Sequence, residues 1–325
     1  MRLPENLWYP ILLSGEAKRK PRKLLLLGLD WVVWRSSSGQ VALHLDRCPH
    51  LGASLSQGTI CNDRLVCPFH GFEYSLNGQC AWVPAIGKHG TIPKGLHLST
   101  ALTQEQHGFI WLWWGEQRER YPEIPYFEPL KGDWRYATIK ADWPVHHTRA
   151  IENQLDVAHL PFVHRNTIGK GHRTLVEGPH VEVDGDEIRV WVTNQKDLGQ
   201  PSRNATELKQ ASEHTEPSLW FKFPGIWLLN ISPSMKLFVA FVPVDQTTTR
   251  FYVRSYHRMR LPLIGTLYSW LLGIANRFIL RQDQTVVVRQ LPKNSMNAGE
   301  DQLIGADRAI HQFRKQYAKR LNTNE

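Results

Sequence analysis

Between residues 24 and 114 the chain alternates short apolar runs with turn-forming residues. The runs fall at 24–27, 31–34, 41–45, 65–67, 72–74 and 109–114. Ser36-Ser37-Ser38-Gly39, Asn62-Asp63 and Asn77-Gly78 separate some of them, and these residue types supply the backbone angles of tight turns. Runs this short, bounded in this way, predict strands and therefore an all-β module. Pro122, Pro125 and Pro129 then interrupt a charged stretch over 115–131, which reads as a boundary and gives expected domains 1–115 and 116–325. Beyond it the pattern predicts a strand at 134–139 and a helix-capable segment at 145–158. Strands follow at 180–183, 188–193, 219–223, 226–231, 237–244 and 250–256, then helices at 264–290 and 301–320. Strands grouped between helices predict an α+β second half.

Composition narrows the picture. A chain of 325 residues can bury two cores, and 42% hydrophobic with 21% charged residues is ordinary for a globular protein. The 13 tryptophans concentrate in strand-like runs, where they supply large buried area. The segment from Trp220 to Trp227 either lines an apolar pocket or is core. The net charge of +9 favours acidic partners. Lys18-Arg19-Lys20-Pro21-Arg22-Lys23 is either a solvated loop or a docking patch for an acidic electron donor, and no nucleic-acid module accompanies it. The start of the chain lacks a signal-peptide pattern, so a cytoplasmic location is expected. The run 261–274 holds Pro262 and two glycines and is shorter than the ~20 apolar residues a bilayer span needs. A buried helix or a peripheral membrane contact is therefore expected there, with no transmembrane span.

The chemistry lies in two constellations. The first is Cys48-Pro49-His50 and, after sixteen intervening residues, Cys67-Pro68-Phe69-His70-Gly71. Each loop offers one thiolate and one imidazole, as a Rieske [2Fe–2S] centre requires. A structural Cys2His2 zinc site is the alternative, although zinc fingers usually pair Cys with Cys and His with His. Cys61 and Cys80 remain as buried thiols or a pair.

The stretches from Cys48 to Gly58 and from Cys67 to Phe72 resemble the Rieske domain of non-haem iron oxygenases, with Leu51 where that family usually has Arg. Cytochrome bc-type Rieske proteins tie their loops by an extra disulfide, whose cysteines would fall at Ala53 and Phe69. The resemblance thus implies a low-potential cluster on Cys48, His50, Cys67 and His70.

The second constellation runs from Glu152 to His164. On a continuous helix Asn153, Asp156 and His159 share one face, while His164 falls 140° beyond His159 at 100° per residue and needs the distortion that Pro161 introduces. A polar helix face is the plainer reading, and His146-His147 adds rival ligands. Asn-x-x-Asp-x-x-His-x-x-x-x-His behind a Rieske motif is similar to the catalytic signature of Rieske oxygenases, which implies a helix-grip-like catalytic domain with an antiparallel sheet. Two histidines and one carboxylate form a triad that holds Fe(II) with positions open for O2. For the carboxylate, Arg281-Gln282-Asp283-Gln284 resembles the family's ligand stretch, and Ile279, Asp283, Val286 and Val287 share a helix face. This favours Asp283 over Asp301 and Asp307.

The resemblance further implies catalytic roles for Asn153 and Asp156, with Asp156 bridging iron-bound imidazoles across subunits of a homotrimer. It implies a small organic substrate, O2 and a separate ferredoxin or flavin reductase as electron donor, since no G-x-G-x-x-G fingerprint accompanies the metal motifs. A Rieske electron carrier whose second domain has lost its iron is the alternative, and a zinc-stabilised interaction module is another.

Overall fold

The computed structural model describes residues 1–212, 215–259 and 262–322. The chain forms two compact units, Asn6–Ile124 with Met1, and Pro125–Glu325 with Arg2–Glu5.

The first unit is built from β1 (Leu7–Leu13), β2 (Arg22–Leu26), β3 (Leu29–Arg35), β4 (Val41–Leu45), β5 (Thr59–Cys61), β6 (Arg64–Val66), β7 (Glu73–Tyr74), β8 (Cys80–Trp82), β9 (Thr103–Gln106) and β10 (Phe109–Trp114). They form three antiparallel sheets in the orders β1-β10-β9, β2-β3-β4 and β5-β6-β7-β8. The apolar runs named above became strands because each buries at least one face. Strand β1 escaped the pattern because its centre is continuously buried and contains Pro10. It lies at a sheet edge with a register shift between Pro10 and Leu12, the setting in which a strand tolerates proline. Val32, Trp34, Leu55, Leu65, Tyr74 and Leu98 form a core that also encloses Cys48 and Cys67. Cys61 is exposed and Cys80 half-buried, and both are free thiols. The expectation that both were buried or paired is corrected, because β5 presents Cys61 to solvent.

The second unit contains β11 (Arg135–Trp143), α1 (His147–Leu155), α2 (Leu160–Val163), β12 (Leu175–Asp184), β13 (Glu187–Gln195), α3 (Ala205–Ser212), β14 (Leu219–Lys222), β15 (Ile226–Ser232), β16 (Met235–Pro243), β17 (Thr249–His257), α4 (Pro262–Val287) and α5 (Arg308–Asn322). Strands β12 to β17 follow one another as an antiparallel meander, and β11 pairs beyond β17. Phe221, Trp227, Val239, Val253 and Ile139 lie opposite one another across successive strands. All are buried, on the face that receives the helices. Phe313 of α5 meets Phe221 edge-on at 5.5 Å, and Gly273 of α4 lies against Ile139. The Trp220 to Trp227 segment is therefore core at Phe221, Phe223 and Trp227. This mixed helix-and-sheet unit with its antiparallel sheet is the α+β second half the pattern predicts.

Helix α4 departs from expectation in one respect. Leu261 lies outside the described residues, but from Leu263 onwards the apolar run is not buried: Leu263 is 88% and Trp270 61% exposed. The helix, from Leu263 to Val287, is long and apolar enough to cross a membrane by length and composition, and only 17% of its most apolar stretch is buried. The apolar pattern runs on past Ile274 into the helix that carries Asp283, which the shorter count missed.

Candidate metal centres

In the first unit, two loops of matching construction approach each other. The Cys48 amide donates to the Ala53 carbonyl at 2.8 Å and the Gly52 amide returns to the Cys48 carbonyl at 2.9 Å. In the other loop the Cys67 amide donates to Phe72 at 2.8 Å and the Gly71 amide to Cys67 at 3.0 Å. Gly52 and Gly71 have φ of +76° and +71°, a conformation that glycine adopts without strain. Each turn holds its cysteine inward and its histidine outward. Cys48 and Cys67 are buried, whereas His50 and His70 are exposed with ring centroids 4.8 Å apart.

The electrostatics fit a cation here. Burial pushes the Cys67 thiol up, and the adjacent Cys48 sulfur pushes it further. Two neighbouring buried thiolates persist only where a metal supplies positive charge. Tyr74 was not singled out from the sequence, yet its hydroxyl lies 3.2 Å from Cys48 Sγ. Burial, reinforced by Cys48, raises its pKa, so it stays a neutral donor toward sulfur. A hydrogen bond to sulfur is one of the levers on cluster potential. A buried strand tyrosine needs a partner for its hydroxyl, and that was the available signal.

In the second unit the expected helix over 145–158 is shorter. Helix α1 stops at Leu155 because Asp156 takes extended angles as its C-cap, and α2 is a single turn that starts after His159 and ends before His164. The chain therefore breaks before His159, and the two imidazoles converge across this turn with centroids 5.3 Å apart. Pro161 sits in its first turn, where its missing N–H costs nothing. The distortion lies before His159 and not at the proline.

Asp283 of α4 faces these rings. Its Oδ1 is 2.9 Å from His164 Nε2 and 3.6 Å from His159 Nε2, and one ligand atom from each of the three residues lies within 4.8 Å of the others. Leu280, Asp283 and Val287 form the buried face of α4 here, while Val286 is exposed, contrary to the face drawn from the sequence. Asp283 Oδ1 is buried and faces the two imidazole Nε2 atoms, and with the His164 proton on Nδ1 neither offers it a hydrogen. A buried carboxylate oxygen of this kind is costly unless a cation or proton satisfies it. The rivals are engaged elsewhere. Asp301 pairs with Arg149 at 3.0 Å and Arg314 at 2.7 Å, and Asp307 accepts the Ile304 amide. His147 Nε2 lies 2.7 Å from the Tyr317 hydroxyl, and His146 Nδ1 is 2.8 Å from the Thr148 hydroxyl.

On the far side of the rings, Gln282 fixes His164 through a hydrogen bond, while Asp156 stands near His159 beyond hydrogen-bond reach. His164 Nδ1 is 2.9 Å from Gln282 Oε1, an oxygen that can only accept, so Nδ1 carries the proton and Nε2 is left to bind. Burial would lower the pKa of His164, but Asp283 and Gln282 together raise it. Asp156 Oδ2 stands 3.6 Å from His159 Nδ1, and its Oδ1 accepts the Ala158 and His159 amides at 2.7 and 3.3 Å. Although burial opposes it, these contacts hold the Asp156 carboxyl below its usual range. Asn153 and Asp156 line a cleft of about 390 Å³ whose walls do not include His159, His164 or Asp283. Gln282 was missed as a functional residue because nothing local tells a ligand-orienting amide from a helix-surface glutamine. Gln282→Leu is expected to weaken iron binding about 10- to 100-fold, read as iron retained in competition with a chelator; unchanged retention would remove Gln282 from this role.

The two arrangements match known proteins in the same order. Residues 7–99 match the Rieske [2Fe-2S] domain, and residues 143–323, more than half of the chain, match the vanillate O-demethylase oxygenase C-terminal domain. The chain belongs to the Rieske-type non-haem iron oxygenases. Among curated relatives of this chain, chlorophyllide a oxygenase of Chlamydomonas reinhardtii is 34% identical over 51% of the chain and 25% of its own length. The chain thus spans about a quarter of that relative. The 4beta-methylsterol monooxygenase of Methylococcus capsulatus is 27% identical over 80% of the chain and 70% of its own length. A crystal structure of dicamba monooxygenase bound to dicamba shares the fold, with a TM-score of 0.79 and 21% identity over 100% of this chain and 99% of that one.

Proposed function

We propose that the chain is a terminal oxygenase that hydroxylates or oxidatively demethylates a small, largely apolar cyclic compound. Cys48, His50, Cys67 and His70 would hold one [2Fe–2S] cluster, and His159, His164 and Asp283 one mononuclear Fe(II). The observation that carries this reading is the buried Asp283 oxygen facing two imidazoles, a donor set that leaves positions open for O2. When bound, the cluster supplies single electrons and the ferrous ion supplies oxygen activation.

The chain's own residues do the rest. His50 and His70 are exposed, so a cluster held by them would present its imidazole edge at the surface of this unit. Gln282 fixes the His164 tautomer, Asp156 places a negative charge beside His159 Nδ1, and the buried Asp283 provides the compensating charge. Asp156 in the wall of its cleft, with Asn153 beside it, is suited to bridge to a cluster histidine of a neighbouring protomer, and the family resemblance makes that assembly a homotrimer. A ferredoxin or flavin reductase would deliver the electrons, and exposed Lys18, Arg19 and Lys20 offer it a cationic patch. The relatives named for chlorophyllide, methylsterol and dicamba support the substrate class.

Metal analysis with visible absorption, followed by a substrate screen with a reductase pair, tests this function. A red-brown protein with about three irons per chain is expected, two in the cluster and one in the triad. Two irons without oxygen uptake would make it an electron carrier. A colourless zinc protein would make it an interaction module.

A further inference from the structure

Helix α4 does two jobs that the iron reading does not join. Its inner face is fixed to the sheet: Ser269 Oγ lies 2.6 Å from His257 Nε2, Asn276 donates to the Ser255 hydroxyl, and Asp283 is held in the metal site. Its outer face is apolar. Leu263, Leu267, Trp270, Leu271, Ile274 and Phe278 are all exposed. At about 100° per residue they occupy a stripe roughly 100° wide, running about 22 Å along the helix. Scattered exposed leucines need no explanation, but a continuous stripe on one helix marks a surface that is covered in use.

Its charges indicate what covers it. The exposed charged residues among those described on α4 are Arg277 and Arg281. Both project to the stripe's side at its C-terminal end, and the helix's one acid, Asp283, is buried. A second copy of the same face would bring cations and apolar groups but no anion. Leucines and a tryptophan bordered by arginines, in a chain of net charge +9, match an acyl layer beneath anionic headgroups. The polar anchors to the sheet, Ser269 and Asn276, hold the helix on the surface of its unit, so it lies on a bilayer and does not thread it.

We propose that the outer face of α4 docks this protein peripherally on anionic lipid membranes. The stripe ends where a cleft of about 250 Å³ begins, lined by Val163, Phe278, Arg281, Gln282, Thr285 and Val286. Phe278 belongs to both, and Gln282 is the residue that touches His164. A docked helix thus sets the mouth of this cleft at the membrane surface, where an apolar compound dissolved in the lipid is concentrated. Docking needs neither iron nor turnover, so its failure would leave the oxygenase reading untouched.

The test is co-sedimentation of the full-length holoprotein with phosphatidylcholine vesicles and with vesicles of phosphatidylcholine and phosphatidylglycerol. Binding to the mixed vesicles, falling as salt rises, is expected, with little binding to phosphatidylcholine alone. L267E/L271E should abolish binding, and R277Q should weaken it about fivefold on the anionic vesicles. W270Q, a single exposed change, should also weaken it and guards against misfolding of the double variant. An unchanged cluster absorption spectrum reports that each variant is folded. Wild-type protein that stays in the supernatant with both vesicles overturns the proposal, as does undiminished binding by L267E/L271E and W270Q. A fall in solution mass on L267E/L271E, without vesicle binding by the wild type, would instead assign the face to contact between copies.

Discussion

His159→Ala removes the mononuclear iron and abolishes oxygenation, while the absorption and reduced EPR signal of the cluster stay at wild-type strength. The expectation follows from the smallness of the donor set. Three side chains supply every protein ligand atom in the proposed centre, with His159 Nε2 3.6 Å from Asp283 Oδ1, and removing one leaves a histidine and an acid. Removing an orienting partner typically costs 10- to 100-fold in metal affinity, so losing a ligand outright should cost more than about 100-fold. Neither His146 nor His147 stands ready as a substitute, since each ring already has a hydroxyl partner. Iron per chain should fall from about three to about two, counted from the cluster and triad stoichiometries. Full iron and retained turnover in the variant would take His159 out of the centre.

Cys67→Ser has the complementary outcome: the red-brown colour and about two irons disappear. Cys67 is 2% exposed within the core of the first unit, and burial already resists its ionisation. A serine hydroxyl resists ionisation far more strongly and is a poor substitute for the thiolate ligand. Because the same side chain packs among Leu65, Tyr74 and Val83, the first unit should also become less resistant to denaturant, read as the urea midpoint. Retention of the visible spectrum would assign the colour to another ligand set. Taken together, the variants separate the sites, since one removes iron without colour and the other removes colour.

Much of this was legible in order along the chain. The two Cys/His loops declare themselves because their ligands are local in sequence and flanked by the Pro and Gly that shape them. Strand positions such as 41–45 and 109–114 were legible because burial at short range leaves its mark on neighbouring residues. The orientation of His164 was not. Its pairing with Gln282 spans 118 positions, and a glutamine on a helix looks alike whether it faces water or an imidazole. The convergence of His159 and His164 was expected at a kinked proline, and it arises instead where Asp156 leaves helical angles. The cause is a backbone choice that helix periodicity cannot register.

The sequence by itself determined which kinds of atoms are present and at what spacing: thiolates and imidazoles on paired loops, two histidines separated by four residues, an acid on an apolar helix. Tertiary structure decided which of several acids met those histidines, because Asp301 and Asp307 are consumed by Arg149, Arg314 and a backbone amide while Asp283 faces the two imidazoles. It also decided that the apolar helix shows its hydrophobic stripe to the outside. Ligand spacing is written in covalent order, whereas selection among like groups and the facing of a helix depend on which surfaces the packed sheet leaves uncovered.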